Sequence, residues 1–522
     1  MPQRMPEVID TRSLPCVAIL DTGVPPDHIS LSRYRRGQYI EPGSGAGRSV
    51  GNHGSLVTSR AVFGHLSSSD GSPPNVPRGT CSFYDVIVAN GPDSIEEKSV
   101  LPAMTAVVGN APDVRVFNIS FDNLRALELE SEIRRREKLI LLQDLDNFIF
   151  ANDVLVVVAA GNSPRNVSPQ KPYPAHIDQV EWKLGTWSRC FNAITCGAYV
   201  EDLTAEGLVT EPGAPSPFTR IGPGIAESPK PDFSGPGGNL NENYRFAAGL
   251  GVWGCNAAGL WEDHSGTSFA APLLARTAAF TLHELQKVCE PGTKPFAVTA
   301  KAYMALTAIA PTPTHALEAL AKRTLGRGRA TVRRLRSPSA KSAIMVWQGT
   351  IDNPDDIVRV QIPVPLKWLQ DARQPHMRLV VSWDSPVNAA VHDVWASRKV
   401  SAQLRVVPDR KKKAVVGSRT GHASYPWIDR LYNLSKLSTD NGVPAEDNWL
   451  LELSYVNIAD YYPAIDFSPI QRVALAAELF DRDEKPISPQ EAVQALPIAS
   501  TLQRLSVTAV PVRSMIAIKS RV

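Results

Sequence analysis

Over the first two thirds of the chain, apolar residues come in short unbroken runs, separated by stretches where they recur every three or four positions. The unbroken runs lie at 14–21, 83–90, 114–121, 155–160 and 193–199 and are rich in Val, Ile and Ala. Such runs predict strands buried on both faces. Between them, Val57, Ala61 and Val62 mark a helix that begins just after His53. Residues 95–109 place Ile95, Val100, Leu101, Met104, Val107 and Val108 on one face, and 124–151 form a long, charged, amphipathic helix. Strand alternating with helix implies right-handed parallel crossovers and a doubly wound α/β sheet. Two more helices are expected near 269–288 and 295–309, while 32–52, polar and glycine-rich, is expected to be a surface loop.

From Ala343 the pattern changes to alternation. Runs at 344–349, 358–362, 377–383, 404–407, 449–455 and 505–510 are short, mostly alternating and separated by turns, which predicts an all-β sandwich or jelly roll. The basic segment 322–342 is the candidate connector. The expected organisation is an N-terminal extension (1–13), an α/β unit (14–336), a linker (337–342) and a β domain (343–522). The run Arg410-Lys411-Lys412-Lys413 falls where an exposed hairpin tip is expected.

Composition narrows the function. The chain has 522 residues, 43% hydrophobic and 20% charged, as expected of a globular protein with more than one core. A formal charge of only +3 argues against a nucleic-acid binder driven by phosphate contacts. The N-terminus lacks the apolar core of a signal peptide, and no apolar stretch reaches the ~20 residues of a membrane span. The six cysteines, at 16, 81, 190, 196, 255 and 289, fit neither a zinc site nor a disulfide framework. Reduced thiols in a cytoplasmic protein are the expectation.

Four local contexts carry the chemistry. Asp21 closes the first buried run before Thr22-Gly23, at the sheet edge where α/β proteins place reacting groups. His53 opens a helix and is followed by Gly54. Asn162 follows Gly161 at the end of the 155–160 run. Ser268 lies in Asp263-His264-Ser265-Gly266-Thr267-Ser268-Phe269-Ala270-Ala271-Pro272, a glycine turn that opens an apolar helix. At a helix N-terminus the unpaired N–H groups and the dipole favour negative charge. Together these residues meet the needs of amide hydrolysis by serine. Ser268 would attack, His53 would move the proton, and Asp21 would orient His53. The Asn162 amide and the Ser268 N–H would hold the oxyanion.

The order Asp, His, Ser and the flanking residues resemble the subtilisin-like serine proteases, the subtilase family. Ala18-Ile19-Leu20-Asp21-Thr22-Gly23-Val24 resembles the family's aspartate motif, His53-Gly54-Ser55-Leu56-Val57 its histidine motif, and Ala159-Ala160-Gly161-Asn162 its oxyanion strand. Gly266 to Pro272 resembles the serine motif almost letter for letter. Lys230-Pro231-Asp232-Phe233 with Gly235-Pro236-Gly237 resembles the segment that precedes that serine. The resemblance covers roughly 14–336. It implies the subtilisin-like fold, peptide-bond hydrolysis through an acyl-enzyme, and a protein or peptide substrate. By the same resemblance, substrate would lie along Ser120, Phe121 and Asp122 on one side and Ala160 and Gly161 on the other. No cofactor is required. Calcium often stabilises the family, but no acidic cluster here identifies a site, and no residue is assigned as a metal ligand.

Departures from the family pattern matter too. Ser55 stands for a threonine, which keeps a hydroxyl, and Thr58-Ser59 replaces Ala-Gly, so packing behind His53 is expected to differ. Asp122 replaces a glycine. It either forms an acidic subsite favouring basic residues upstream of the cut or faces solvent on a shifted loop. The insert 176–191, with Trp182, Trp187 and Cys190, falls where substrate-facing loops are expected and would restrict access. With only residues 1–13 ahead of the first strand, a member that folds without a propeptide, or one restrained by a regulatory partner, is expected. Three other classes compete: a catalytically silent binding protein using the cleft and the β domain, an acid-active serine-carboxyl peptidase, and a metal hydrolase on Asp21, His53 and His264. The His53-Gly54 pair disfavours the second, and the lack of a compact ligand pair disfavours the third.

Overall fold

The computed structural model describes residues 9–483 apart from 43–50, 67–73, 92–93, 96, 122–124, 164–168, 205, 290–291, 311–312, 314, 333–340, 353–355, 390–394, 406–413, 416–425, 442–447 and 458–470. Its first strands are β1 (Cys16–Asp21), β2 (Arg35–Ile40) and β3 (Ser82–Ile87), followed by a short ribbon of β4 (Ala89–Gly91) and β5 (Ser94–Ile95). β6 (Val116–Ile119), β7 (Leu155–Ala159), β8 (Ile194–Tyr199) and β9 (Phe233–Pro236) complete a seven-stranded sheet in the order β2-β3-β1-β6-β7-β8-β9, parallel throughout. From β1 the chain goes to the edge strand β2, returns with β3 beside β1, then crosses to β6 on the other side of β1 and builds outward to β9. The switch point therefore lies at the C-terminal end of β1, where α/β sheets place ligands.

Both faces of this sheet are covered, which is why its strands are unbroken apolar runs. Val17, Ile19, Val157 and Ala159 face α1 (His53–Phe63), α4 (Thr267–Val288) and α5 (Ala297–Thr307). Ala18, Leu20, Val156 and Val158 face α2 (Val100–Asn110) and α3 (Glu132–Asn152). Each fully buried aliphatic side chain contributes roughly 1.5–3 kcal/mol. α6 (His315–Leu325) packs beside β8, and the hairpin β10 (Val252–Cys255) with β11 (Trp261–His264) leads into α4.

Beyond residue 341 the strands are β12 (Ser342–Ile351), β13 (Val358–Pro363), β14 (Pro375–Trp383), β15 (Arg398–Arg405), β16 (Ala414–Val415), β17 (Trp427–Asn433), β18 (Asn448–Asn457) and β19 (Gln471–Asp481). They form two antiparallel four-stranded sheets, β12-β19-β14-β17 and β13-β18-β15-β16. Met345, Leu379 and Leu475 of the first meet Ile362, Leu404 and Leu451 of the second in one core, the expected sandwich. The opposite face of the first sheet is also buried: Val346, Val380, Ala474 and Ala476 pack into the core that contains α5.

Several expectations change. Residues 35–40 form edge strand β2 rather than loop. Ile95 belongs to the ribbon rather than to α2, whose buried face is Val100, Ala103, Met104 and Val107. The long helix starts at Glu132, because the Ser131 hydroxyl accepts from the Arg134 N–H and caps it there. The connector reading of 322–332 gives way to packed structure: α6 runs to Leu325, Arg327 N–H donates to the Asp232 carbonyl, and Ile309 bridges Arg329. In the insert 176–191, Trp182, Trp187 and Cys190 are at most 1% exposed, so these side chains are core rather than cleft walls. Strands β17 and β19 were absent from the sequence pattern, while the run at 505–510 and Arg410–Lys413 lie outside the described residues.

Candidate active site

Asp21 ends β1 and is fully buried. Its Oδ1 and Oδ2 lie 2.8 and 2.9 Å from His53 Nδ1, and Oδ1 also accepts the Thr22 N–H at 2.8 Å. A carboxylate partner makes Nδ1 the proton-bearing nitrogen, which leaves Nε2 as the basic one. His53 is placed by the loop after Asp21. Asn52 makes no side-chain cap; instead the Thr22 hydroxyl accepts the Gly54 N–H at 2.8 Å, so a tertiary contact caps α1. Gly54 is required for this approach, because a Cβ there would sit 2.6 Å from the Gly23 carbonyl oxygen. Asp21, Thr22, Gly23, His53 and Gly54 thus form one packed unit.

The second half of the site is built the same way. Asn162 follows β7, and its Oδ1 accepts from the Thr267 N–H at 2.9 Å and the Thr267 hydroxyl at 3.1 Å. That hydroxyl in turn accepts the Gly161 N–H at 3.1 Å. With Oδ1 so engaged, the Nδ2 donor is turned away from Thr267. A Cβ on Gly266 would lie 3.0 Å from Ser268 Oγ and 3.3 Å from Asn162 Nδ2, so hydroxyl and amide border the same space. Glycine at 266 keeps that space open. Ser268 occupies the first turn of the 22-residue α4, and the His53 ring packs 5.8 Å from that of Phe269. Pro272 has no N–H, so the Ser268 carbonyl lacks its helical partner; the Ser120 hydroxyl donates to it at 3.0 Å.

The structure therefore brings Asp21 to His53, and Asn162 to Ser268. Ser120 is buried, with its hydroxyl engaged by Ser268 and by the Asn118 amide at 2.8 Å. Ala160 is buried, its N–H donating to Cys196, and Phe121 is half-buried. Asp122 lies outside the described residues. His264 pairs with Glu262 at 2.9 Å. Behind His53, the Ser59 hydroxyl donates to Leu56 and accepts from Cys255 N–H, and Gly254 leaves room for it. Among the described residues no three His, Cys, Asp or Glu side chains gather as a metal ion would need, and no helix is long and apolar enough to cross a membrane.

Three charged residues at this edge carried no motif. Asp85 on β3 is buried beside β1; burial pushes its carboxyl up to about 6, against the pull of Arg35 at 3.3 Å. Arg220 donates from Nε to the Asn162 carbonyl at 2.8 Å, and Arg60 donates from Nε to the Phe269 carbonyl at 3.2 Å. Both arginines are completely buried. Only their position within apolar surroundings distinguishes them in the sequence.

The sequence and the chain's geometry can be set beside known proteins. A curated relative, the uncharacterized protein y4bN of Sinorhizobium fredii, is 29% identical over 159 residues, 26% of this chain and 37% of that protein. The match thus spans little more than a third of that relative's length. Among solved structures, a lanthipeptide protease is 19% identical with a TM-score of 0.44, over 61% of this chain and 86% of its own. The epidermin leader peptide processing serine protease of Staphylococcus aureus is 17% identical with a TM-score of 0.43, over 62% of this chain and 76% of its own. The family model described as the Subtilase family matches residues 13–329. That match takes in well over half of the chain, including β1, α1, β7 and the start of α4, and the chain belongs to the subtilase family of serine peptidases.

Proposed function

We propose that the chain is a serine endopeptidase acting on proteins or peptides, with Asp21, His53 and Ser268 as the catalytic residues and Asn162 as an oxyanion donor. The observation that carries this reading is the contact of His53 Nδ1 with both Asp21 carboxylate oxygens, on a helix packed against the one that bears Ser268. Ser268 Oγ attacks the scissile carbonyl while His53 Nε2 takes its proton. Asp21 stabilises the imidazolium. Asn162 Nδ2 and the Ser268 N–H at the start of α4 hold the negative oxygen. Collapse breaks the C–N bond, and His53 returns the proton to the departing amine. Water, deprotonated by the same nitrogen, then releases the acyl group and restores Ser268. The division into a peptidase unit (14–336) and a β domain (343–522) is part of the same proposal.

The test is labelling by a fluorophosphonate probe at pH 8 beside Ser268→Ala. Label on the wild type alone, with hydrolysis of an internally quenched peptide, is the expected result. A folded wild-type protein that neither labels nor hydrolyses would reject the reading.

A further inference from the structure

We infer that Arg60 is a positioning residue for Ser268, holding the first turn of the serine helix in register with the histidine helix. The inference rests on the peptidase reading above. Arg60 lies on α1 seven residues after His53, two turns along on the same face. Its side chain is wholly buried, and its guanidinium reaches three separate segments. Nε–H donates to the Phe269 carbonyl at 3.2 Å, in the turn that carries Ser268. Nη2 donates to the Pro236 carbonyl at 3.3 Å, at the end of β9, and Nη1 to the Trp253 carbonyl at 3.4 Å, on β10. Both terminal nitrogens lie 3.2 Å from His65 Nδ1, and His65 Nε2 lies 2.6 Å from Glu201.

Each part of this arrangement has a physical reason. A buried cation must be hydrogen-bonded and offset by a countercharge. Here the three carbonyls and the His65 nitrogen satisfy the guanidinium, while Glu201, reached through His65, supplies the charge. Burial pushes Arg60 down to about 9, which still leaves it charged at neutral pH. His65 beside Glu201 holds that carboxyl below its ordinary range. The guanidinium spreads five donors over three nitrogens and meets all four acceptors, the carbonyls on α4, β9 and β10 and His65 Nδ1; an ammonium offers three donors from one nitrogen and leaves at least one of them unmet.

The consequence for catalysis follows from the serine helix itself. Pro272 leaves the Ser268 carbonyl without a helical donor, so the first turn of α4 depends on outside partners. Ser120 holds it from the sheet side, and Arg60 holds the next carbonyl from the helix that bears His53. The reach from His53 to Ser268 is therefore set partly by a side chain that touches neither the substrate nor the reacting atoms.

The experiment compares Arg60→Met, Arg60→Lys and His65→Leu with the wild type. For Arg60→Met, kcat should fall roughly 10- to 100-fold with KM within about twofold, as expected of a displaced nucleophile. Arg60→Lys should recover only part of the loss. His65→Leu, which keeps Arg60 but removes its partner, should lose roughly 3- to 10-fold in kcat. A folded Arg60→Met with wild-type kcat, or a change in KM alone, would overturn the inference. If Arg60→Met does not fold, wild-type kcat in His65→Leu overturns it instead. Amide exchange over 262–274, measured in the Ser268→Ala background with and without Arg60→Met, is independent of turnover. Faster exchange at the start of α4 is expected, and unchanged exchange rejects the positioning role. An inactive, unlabelled wild type would reject the peptidase reading separately, with the exchange result still deciding on Arg60.

Discussion

The proposed active-site edge and the seam beneath α5 are both built from buried polar groups, but they draw their partners from different kinds of sequence. At the edge, the bracing groups are the sequence neighbours of the proposed catalytic residues, and they join one motif to another: Thr22, beside Asp21, accepts the Gly54 N–H; Thr267, beside Ser268, donates to Asn162; and Gly161, beside Asn162, donates to Thr267. At the seam, partners come from distant parts of the chain. Asp146 on α3 accepts from the Phe191 and Asn192 N–H groups at 2.9 and 2.7 Å and from the Trp395 indole at 2.9 Å. Asn192 exchanges hydrogen bonds with Ser385, 193 positions away, at 2.7 and 3.0 Å. Lys301 on α5 donates to the Asn192 carbonyl, and Arg472 on β19 pairs with Asp384 at 3.0 Å. The difference teaches that the contacts which align the proposed catalytic groups are concentrated in a few short motifs that brace one another across the fold. Adhesion between layers tolerates contributions from anywhere that folding brings near.

The largest effect separates the two regions most sharply. Asp21→Asn should reduce kcat by about 10,000-fold, because the amide favours the wrong His53 tautomer. Its thermal midpoint should stay close to that of the wild type, and calorimetry beside steady-state kinetics checks both. Asp146→Ala should do the reverse. Three buried donors lose their acceptor, and the expected loss is roughly 3–5 kcal/mol in urea unfolding. Kinetic constants below the transition should be retained. Because α5 is buried at every position between the two cores, unfolding should be one transition by both tryptophan fluorescence and loss of activity. Two resolved steps would show that the seam is weaker than its contacts imply.

A smaller effect comes from pH. The folded protein raises Asp85 to about 6, so between about pH 4 and 6 it binds a proton that the unfolded chain releases. Stability from this group is full below the ordinary carboxylate pKa and is lost as pH rises through 6. Asp85→Asn should therefore flatten the fall in thermal midpoint between pH 4 and 7. Asp153 at the seam, also raised by burial to about 6, should keep part of the slope. An unchanged slope in the variant would mean that Asp85 is not carrying it. The smallest effect belongs to neither region. Arg136→Ala on α3 breaks an exposed pair with Glu132 at 2.6 Å and should cost no more than about 0.5 kcal/mol. It serves as the baseline for surface substitutions.

Legibility in the sequence followed the same division. The strands of the parallel sheet were readable because both of their faces are buried, which forces unbroken apolar runs. β2 was not, since an edge strand reading Arg35-Arg36-Gly37-Gln38-Tyr39-Ile40 has one row of hydrogen bonds and little to bury. β19 was hidden for another reason. Its Ala474, Leu475, Ala476, Ala477, Glu478 and Leu479 are helix formers, yet it is the central strand between β12 and β14. The small alanines let α5 approach one face while Leu475 and Leu479 fill the sandwich on the other. Position in the sheet overrode local propensity. Trp182 and Trp187 in the 176–191 insert suggested a loop over the cleft; hydrophobic burial instead drew both into cores.

The sequence by itself determined the α/β alternation, the change to an all-β pattern after Ala343, and the four loci of Asp21, His53, Asn162 and Ser268. It did so because hydrophobic periodicity and the short motifs around those four residues are properties of neighbouring positions. Only the tertiary structure decided that Arg60 and Arg220 would be buried against the carbonyls of Phe269 and Asn162. It alone showed that Ser120 would replace the donor missing at Pro272, and that α5 would join the sheet to the sandwich. Those arrangements depend on which distant groups meet once water is excluded, and a buried charge or unpaired carbonyl must then find its partner wherever the fold supplies one.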